Sequence, residues 1–228
     1  MLKKTIFSYE QNLSVPSDTH MTILKFITKD YENLKALAEV NRVKLSKKEK
    51  NMVFNKKKTI EEIIFPHANS YNGYVDFNFD KFINVLFSVL GEKLGKTKLA
   101  KVLYVLDFNA YKEKAKSITG LAYAKMPRGP MPNNFSDLLD YLVDKELIKV
   151  ETTFEGDITY INIYPLREAD TSKFDEFELD LIHRAKEYIK DKTASELSDL
   201  AHQESIWNST EDHKLISYDK VDNLKMKI

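Results

Sequence analysis

The sequence contains no cysteine. That excludes disulfides, iron–sulfur clusters, thiolate zinc sites and a cysteine nucleophile, and it suits a reducing cytoplasm. Net charge is also missing: 35 basic residues cancel 35 acidic ones. A neutral balance argues against a chain whose main task is to coat nucleic acid, although a local basic patch remains compatible with it. Long apolar runs are absent too. The longest, FINVLFSVL (82–90), is half of the roughly 18 residues needed to cross a bilayer. The N-terminal MLKKTIFSYEQNLSVPSD has no apolar core of a signal peptide, so a cytoplasmic protein without membrane partners is expected. Glycine and proline are scarce, with six of each in 228 residues, yet three of the six prolines fall in KMPRGPMPNN (125–134).

What is present is the composition of a globular chain, 43% apolar and 31% charged. No repeat or low-complexity linker interrupts it. Periodicity predicts a helix from Asp18 to about Val40, and a second over roughly 46–64, where Ser46 and Glu49 have capping-box spacing. SYNGY (70–74) breaks the pattern and suggests a soft domain boundary. Residues 79–90 are apolar on nearly every side, as in a central helix. Gly91 and Gly95 bracket a turn, and Thr97 is the expected N-cap of the next helix. That helix carries Leu99, Val102, Leu103, Leu106 and Ala110 on a core stripe, with Tyr104, Asp107 and Tyr111 on a second face.

Residues 118–126 read as extended, followed by the proline loop and a helix to about Lys145 capped by Asn134 or Ser136. LIKVETTF and ITYINIYP flank EGD as a hairpin. Helices are expected at roughly 175–190 and, capped by Thr193, at 194–202; the last stretch from Ile216 reads as extended and partly loose. The fold class is therefore α+β, mostly α-helical, with a small antiparallel β-sheet around a hairpin at about 147–164.

Catalytic patterns are weak. In GEKLGKTK (91–98) the glycine spacing of a phosphate-binding loop is wrong by one, and a helix precedes it where a strand is required. No two histidines sit at i, i+4, and no Gly-x-Ser-x-Gly elbow occurs. No cofactor or metal is expected. Lys101, Tyr104 and Asp107 on one helix fit acid–base work less well than a packed or partner-facing stripe; a hydrolase built on Asp107 and His202 remains the enzymatic alternative. The lysine-rich 42–58 segment offers phosphate contacts, a solvated face or a dock for an acidic protein, with nucleic acid the less favoured partner. In the proline loop, fixed φ angles leave little entropy to lose, so the segment is either a rigid corner or a preorganised contact.

Three segments, GKTKLAKVLYVLDFNAY (95–111), SITGLAYAKMPRGPMP (117–132) and TASELSDLAHQESIW (193–207), resemble in order and spacing the signatures of SocA-like, or Panacea-domain, antitoxins. The K-L-x-K-x-L-Y-x-x-D pattern is matched by Lys98, Leu99, Lys101, Leu103, Tyr104 and Asp107. Gly120, Tyr123, Gly129, Pro130 and Pro132 match G-x-x-Y followed by G-P-x-P. Glu196, Leu197, Ser198, His202 and Trp207 match E-L-S-x-x-x-H with a nearby tryptophan. Arg128 departs from the usual apolar or aromatic residue before the Gly-Pro, and offers a guanidinium for a partner carboxylate or phosphate.

The resemblance covers about 77–215, leaving a variable N-terminal region, 1–76, for specificity and a tail, 216–228. It implies a non-enzymatic antitoxin of a bacterial or phage type II system. Such a protein binds a cognate toxin directly, as a heterotetramer in one arrangement, and blocks its active site. Toxins of the family include small alarmone-synthetase-like translation inhibitors. DNA-binding autoregulation and delivery of the toxin to a protease are the alternatives. The residues assigned to partner contact are Lys101, Tyr104, Asp107, Tyr111, Tyr123, Arg128 and Met131; the remaining motif residues are assigned to structure.

Overall fold

The computed structural model describes residues 39–40, 58–155, 158–221 and 224–228. The segment from Lys58 to Ile228 forms one compact unit. The helix expected at 18–40 and all of the lysine-rich segment except Lys58 lie outside the described residues, apart from helical residues 39 and 40. Lys58 itself pairs with Asp137 at 2.7 Å.

The short helix α1 spans Ile60–Ile63 and is capped by Thr59, whose capping-box partner is Glu62. Lys58 and Thr59 are not helical, so the helix expected over 46–64 does not run through them unbroken. SYNGY is a turn built into the same unit. Asn72 is buried and its side-chain amide donates to the carbonyls of His67 and Val75, at 3.0 and 2.9 Å. Ser117 N–H reaches back to the Gly73 carbonyl at 3.0 Å.

Helix α2 (Phe79–Leu90) is capped by the Asn78 side chain and ends at Gly91, where φ is +57°. After the two-residue β1 (Leu94–Gly95) comes α3 (Lys96–Lys114). Its N-cap is Gly95, not Thr97, because β1 runs straight into the helix and the first turn lacks a side-chain cap. Every residue from Leu99 to Ala110 is buried. The two-face reading of α3 is thus replaced: this helix is enclosed all round, packed by α2 on one side and by later elements on the others. Its polar residues are interior groups.

KMPRGPMPNN is a hairpin rather than a loop. Strand β2 (Tyr123–Met126) pairs antiparallel with β3 (Gly129–Pro132), leaving Pro127–Arg128 as a two-residue tip. Pro130 and Pro132 lack the N–H that an inner strand needs. They are accommodated because β3 is an edge, in the order β3-β2-β6. Helix α4 (Phe135–Asp144) follows Asn134, whose side chain caps nothing and instead donates to the Ile63 carbonyl at 3.0 Å.

The expected second hairpin is present: β4 (Ile148–Glu155) pairs with β5 (Ile158–Pro165), and β1 completes a sheet of order β1-β5-β4. Helices α5 (Glu176–Lys190) and α6 (Ala194–His202) both open with capping boxes, Asp175 with Glu178 and Thr193 with Glu196. Each box satisfies backbone donors at the helix start. The short α7 (Ser205–Asn208) and β6 (Leu215–Ile216) complete the order. Among the described residues there are seven helices and two three-stranded antiparallel sheets, an α+β fold dominated by helix.

The tail is not loose where it is described. Ile216, Tyr218, Leu224 and Met226 are buried. The amide of Asn109 donates to the Met226 carbonyl at 2.9 Å, and the buried Glu204 carboxylate accepts from the N–H groups of Lys225 and Met226. Alternating apolar residues dock on the core while two interior side chains satisfy the tail's backbone, a necessity for any buried chain.

Candidate functional site

Asp107 sits in the middle of α3 with no exposed surface. Its carboxylate accepts from Ile118 N–H at 2.9 Å, Thr119 N–H at 2.8 Å, the Thr119 hydroxyl, and the Tyr123 hydroxyl at 2.7 Å. Burial pushes its pKa up, while these four donors act in the opposite direction. One side chain thereby fixes the turn Ile118–Gly120 and the first residue of β2. Gly120 has φ of +71°, which a side chain would resist.

Lys101, two turns earlier, is equally enclosed. Its amine donates to the Pro130 carbonyl at 2.8 Å. No carboxylate offsets the burial, and the pKa falls to about 7. Above Lys101 lies Gly129, with φ of +89°; a Cβ there would stand 2.7 Å from the Lys101 amine and 2.9 Å from the Ala201 Cβ. The glycine is required twice, for its backbone conformation and for contact between hairpin, α3 and α6.

A third brace comes from α6. His202 Nε2 lies 3.1 Å from the Pro127 carbonyl. The His202 ring packs on Trp207 with centroids 4.5 Å apart, and the Lys125 ammonium lies 4.4 Å from the Trp207 centroid. Lys125 also donates to the Thr210 carbonyl at 2.9 Å. The three sequence segments singled out by spacing, 95–111, 117–132 and 193–207, therefore converge on one hairpin, hold it from below and leave only its tip, Pro127–Arg128, exposed. Beside the tip is a cleft of about 170 Å³ between Met126, Pro127, Trp207 and His213.

The residues assigned to partner contact separate into two groups. Lys101, Tyr104, Asp107 and Tyr123 have no exposed surface, so they cannot meet a partner in this conformation. Enclosure of α3 on all sides is the physical reason. Arg128 is exposed at the tip, and Met131 and Tyr111 are half-buried. Tyr111 donates to Asp219 at 3.1 Å. Among the described residues Arg128 has no hydrogen-bond or ionic partner.

Of the motif residues, Leu99, Leu103 and Leu197 are core, and Ser198 donates to the Ala194 carbonyl. Glu196 closes the α6 capping box, and Lys98 lies 3.5 Å from the Lys190 carbonyl. Sequence reasoning missed Thr119, Lys125, Asn109 and Glu204. Thr119 was signalled by its place just before the motif glycine. Glu204 and Asn109 had no signal, because their partners are backbone groups of the tail. Among the described residues no group of three or more His, Asp or Glu side chains could hold a metal ion, and no helix is long and apolar enough to cross a membrane.

Residues 99–208 match the family described as antitoxin SocA-like, Panacea domain. This segment is similar to SocA-like Panacea domains. No curated protein and no solved structure matches it. The matched region contains α3 from Leu99 onward, the braced hairpin and α6, the three elements that meet at Lys101, Gly129 and Ala201.

Proposed function

We propose that this protein is the antitoxin of a type II toxin–antitoxin system and that it neutralises its toxin by binding over the toxin's active site. The family match gives the antitoxin role its support. The observation that carries the mode of action is the hairpin tip. Pro127 and Arg128 stand exposed on a support made by Lys101, His202 and Gly129, which leaves Arg128 displayed and unpaired among the described residues. A rigid display loses little entropy on binding, and a guanidinium offers a fork for a carboxylate or phosphate in the partner's cleft.

Catalysis by this chain is not part of the reading. Asp107 is sealed and committed to four donors, and Lys101 has no exposed surface. The toxin class implied is a small alarmone-synthetase-like inhibitor of translation, met in the cytoplasm in a 1:1 or heterotetrameric complex. Residues 1–76 supply specificity and 77–215 the scaffold. Co-expression with the product of the neighbouring open reading frame tests this. Growth is restored and the two proteins co-purify if the reading holds; continued growth arrest with no complex refutes it.

A further inference from the structure

The surface holds a second concave feature, away from the family signature residues. A groove of about 730 Å³ lies between the end of α2, the segment after β5 and the outer face of α5. That volume is in the range of sites that take a ligand or a short peptide segment. The groove's floor is Phe87 and Ile182, 3% and 5% exposed. Leu166 and Leu179 stand in its walls with 54% and 40% of their surface open, two of the most exposed large apolar residues described. Paired exposure of this kind in one concavity marks a place for an apolar partner.

Its charges narrow the partner further. The Arg167 guanidinium lies 5.3 Å from the Phe87 ring centroid, held by the ring while its N–H donors find no acceptor among the described residues. A stacked guanidinium is preorganised for a carboxylate. On the opposite wall His183 and Lys186 follow Leu179 at i+4 and i+7, so one face of α5 presents apolar then basic groups in line. Among the described residues neither Arg167 nor Lys186 takes part in an ion pair. Two acids, Glu92 and Glu168, also line the groove. They oppose a run of acidic residues or an anionic membrane, and favour a segment with one carboxylate among apolar side chains.

We infer that this groove docks an amphipathic segment of the toxin, apolar side chains on Phe87, Leu179 and Ile182 and one carboxylate against Arg167. The inference rests on the antitoxin reading and adds a second point of attachment to the hairpin tip. Two anchors on different elements fix a partner's orientation as well as its affinity, because the second contact forms at high effective concentration.

The test uses the full chain, titrated calorimetrically with the purified product of the neighbouring open reading frame. Leu179→Glu and Arg167→Glu each change one exposed side chain of the groove, Arg128→Glu changes the tip, and melts by circular dichroism establish that all three are folded. Each groove variant is expected to weaken binding tenfold or more, whatever Arg128→Glu does. Wild-type affinity in both groove variants overturns the groove and leaves the antitoxin reading standing. A wild-type chain that binds nothing overturns both. Light scattering that shows the free chain to be a dimer, made monomeric by Leu179→Glu, also overturns it, since the groove then belongs to a second copy.

Discussion

Replacing Lys101 with methionine should change how the protein's stability depends on pH. The amine is enclosed by α3, the hairpin and α6, and has one acceptor, the Pro130 carbonyl at 2.8 Å. Burial lowers its pKa from 10.5 to about 7. Between those values the unfolded chain binds a proton that the folded chain does not, so the free energy of unfolding rises with pH through this window. The whole gap corresponds to about 5 kcal/mol, and the part between pH 7 and pH 9 to about 2 kcal/mol.

Methionine has similar length and volume and carries no proton. It removes this dependence, and its cost is one unpaired carbonyl, roughly 1–3 kcal/mol. Urea unfolding of wild type and Lys101→Met at pH 7, 8 and 9 reads the difference. Asp107 and Glu204, whose pKa values burial raises, are common to both proteins and cancel. The range stops at pH 9 because Tyr104, Tyr123 and Tyr218 are pushed well above the usual tyrosine value when folded but ionise near 10 when unfolded. Wild type should gain about 2 kcal/mol on the variant across the range. Parallel curves would mean that Lys101 keeps its proton in the interior, and the reasoning about its enclosure would fail.

Further outcomes follow from the same buried network. Asp107→Ala strands four donors, at about 1–3 kcal/mol each, and should leave little folded protein in a urea or thermal melt, whereas Asp107→Asn keeps the shape and should fold with reduced stability. Tyr104 and Tyr123 are neighbours on the same core, yet their hydroxyls differ. Tyr123→Phe loses a bond to Asp107 and should cost about 1–2 kcal/mol, while Tyr104→Phe removes a buried hydroxyl without a partner and should be neutral or stabilising by about 1 kcal/mol in the same melts. Gly129→Ala places a Cβ against the Lys101 amine and Ala201 on a left-handed backbone, and should cost about 2 kcal/mol or more by denaturation.

The helices were legible where local chemistry decides them. Asn78, Asp175 and Thr193 are capping residues whose partners lie three positions away, so α2, α5 and α6 begin close to where spacing places them. The β4–β5 hairpin was equally visible, from β-branched and aromatic residues on both sides of a turn. Burial of α3 was not. Its sequence alternates lysine, tyrosine and aspartate with apolar residues, and only tertiary partners, the Pro130 carbonyl and the Ile118–Thr119 amides, make those polar groups interior. For the same reason Lys101, Tyr104 and Asp107 read as a docking face, when Lys101 and Asp107 bond to the protein's own interior groups and Tyr104 packs in the core.

The proline-rich hairpin was misread as a loop because proline usually excludes a strand. At an edge the missing N–H faces away from the ladder, and edge position is not written in a local window. The tail was hidden likewise, since Glu204 and Asn109 capture it from more than 20 and more than 100 residues away in sequence. The site itself was half legible. The spacing of the three motifs showed that they belong together; only the fold showed that they meet beneath Pro127 and Arg128.

The central claim is that the chain acts by binding a toxin rather than by turning over a substrate. Size-exclusion chromatography of the purified chain mixed with the neighbouring gene's product, with translation assayed on the same fractions, tests it directly. The account predicts one co-eluting species in which translation proceeds. Separate elution with translation still blocked would contradict it.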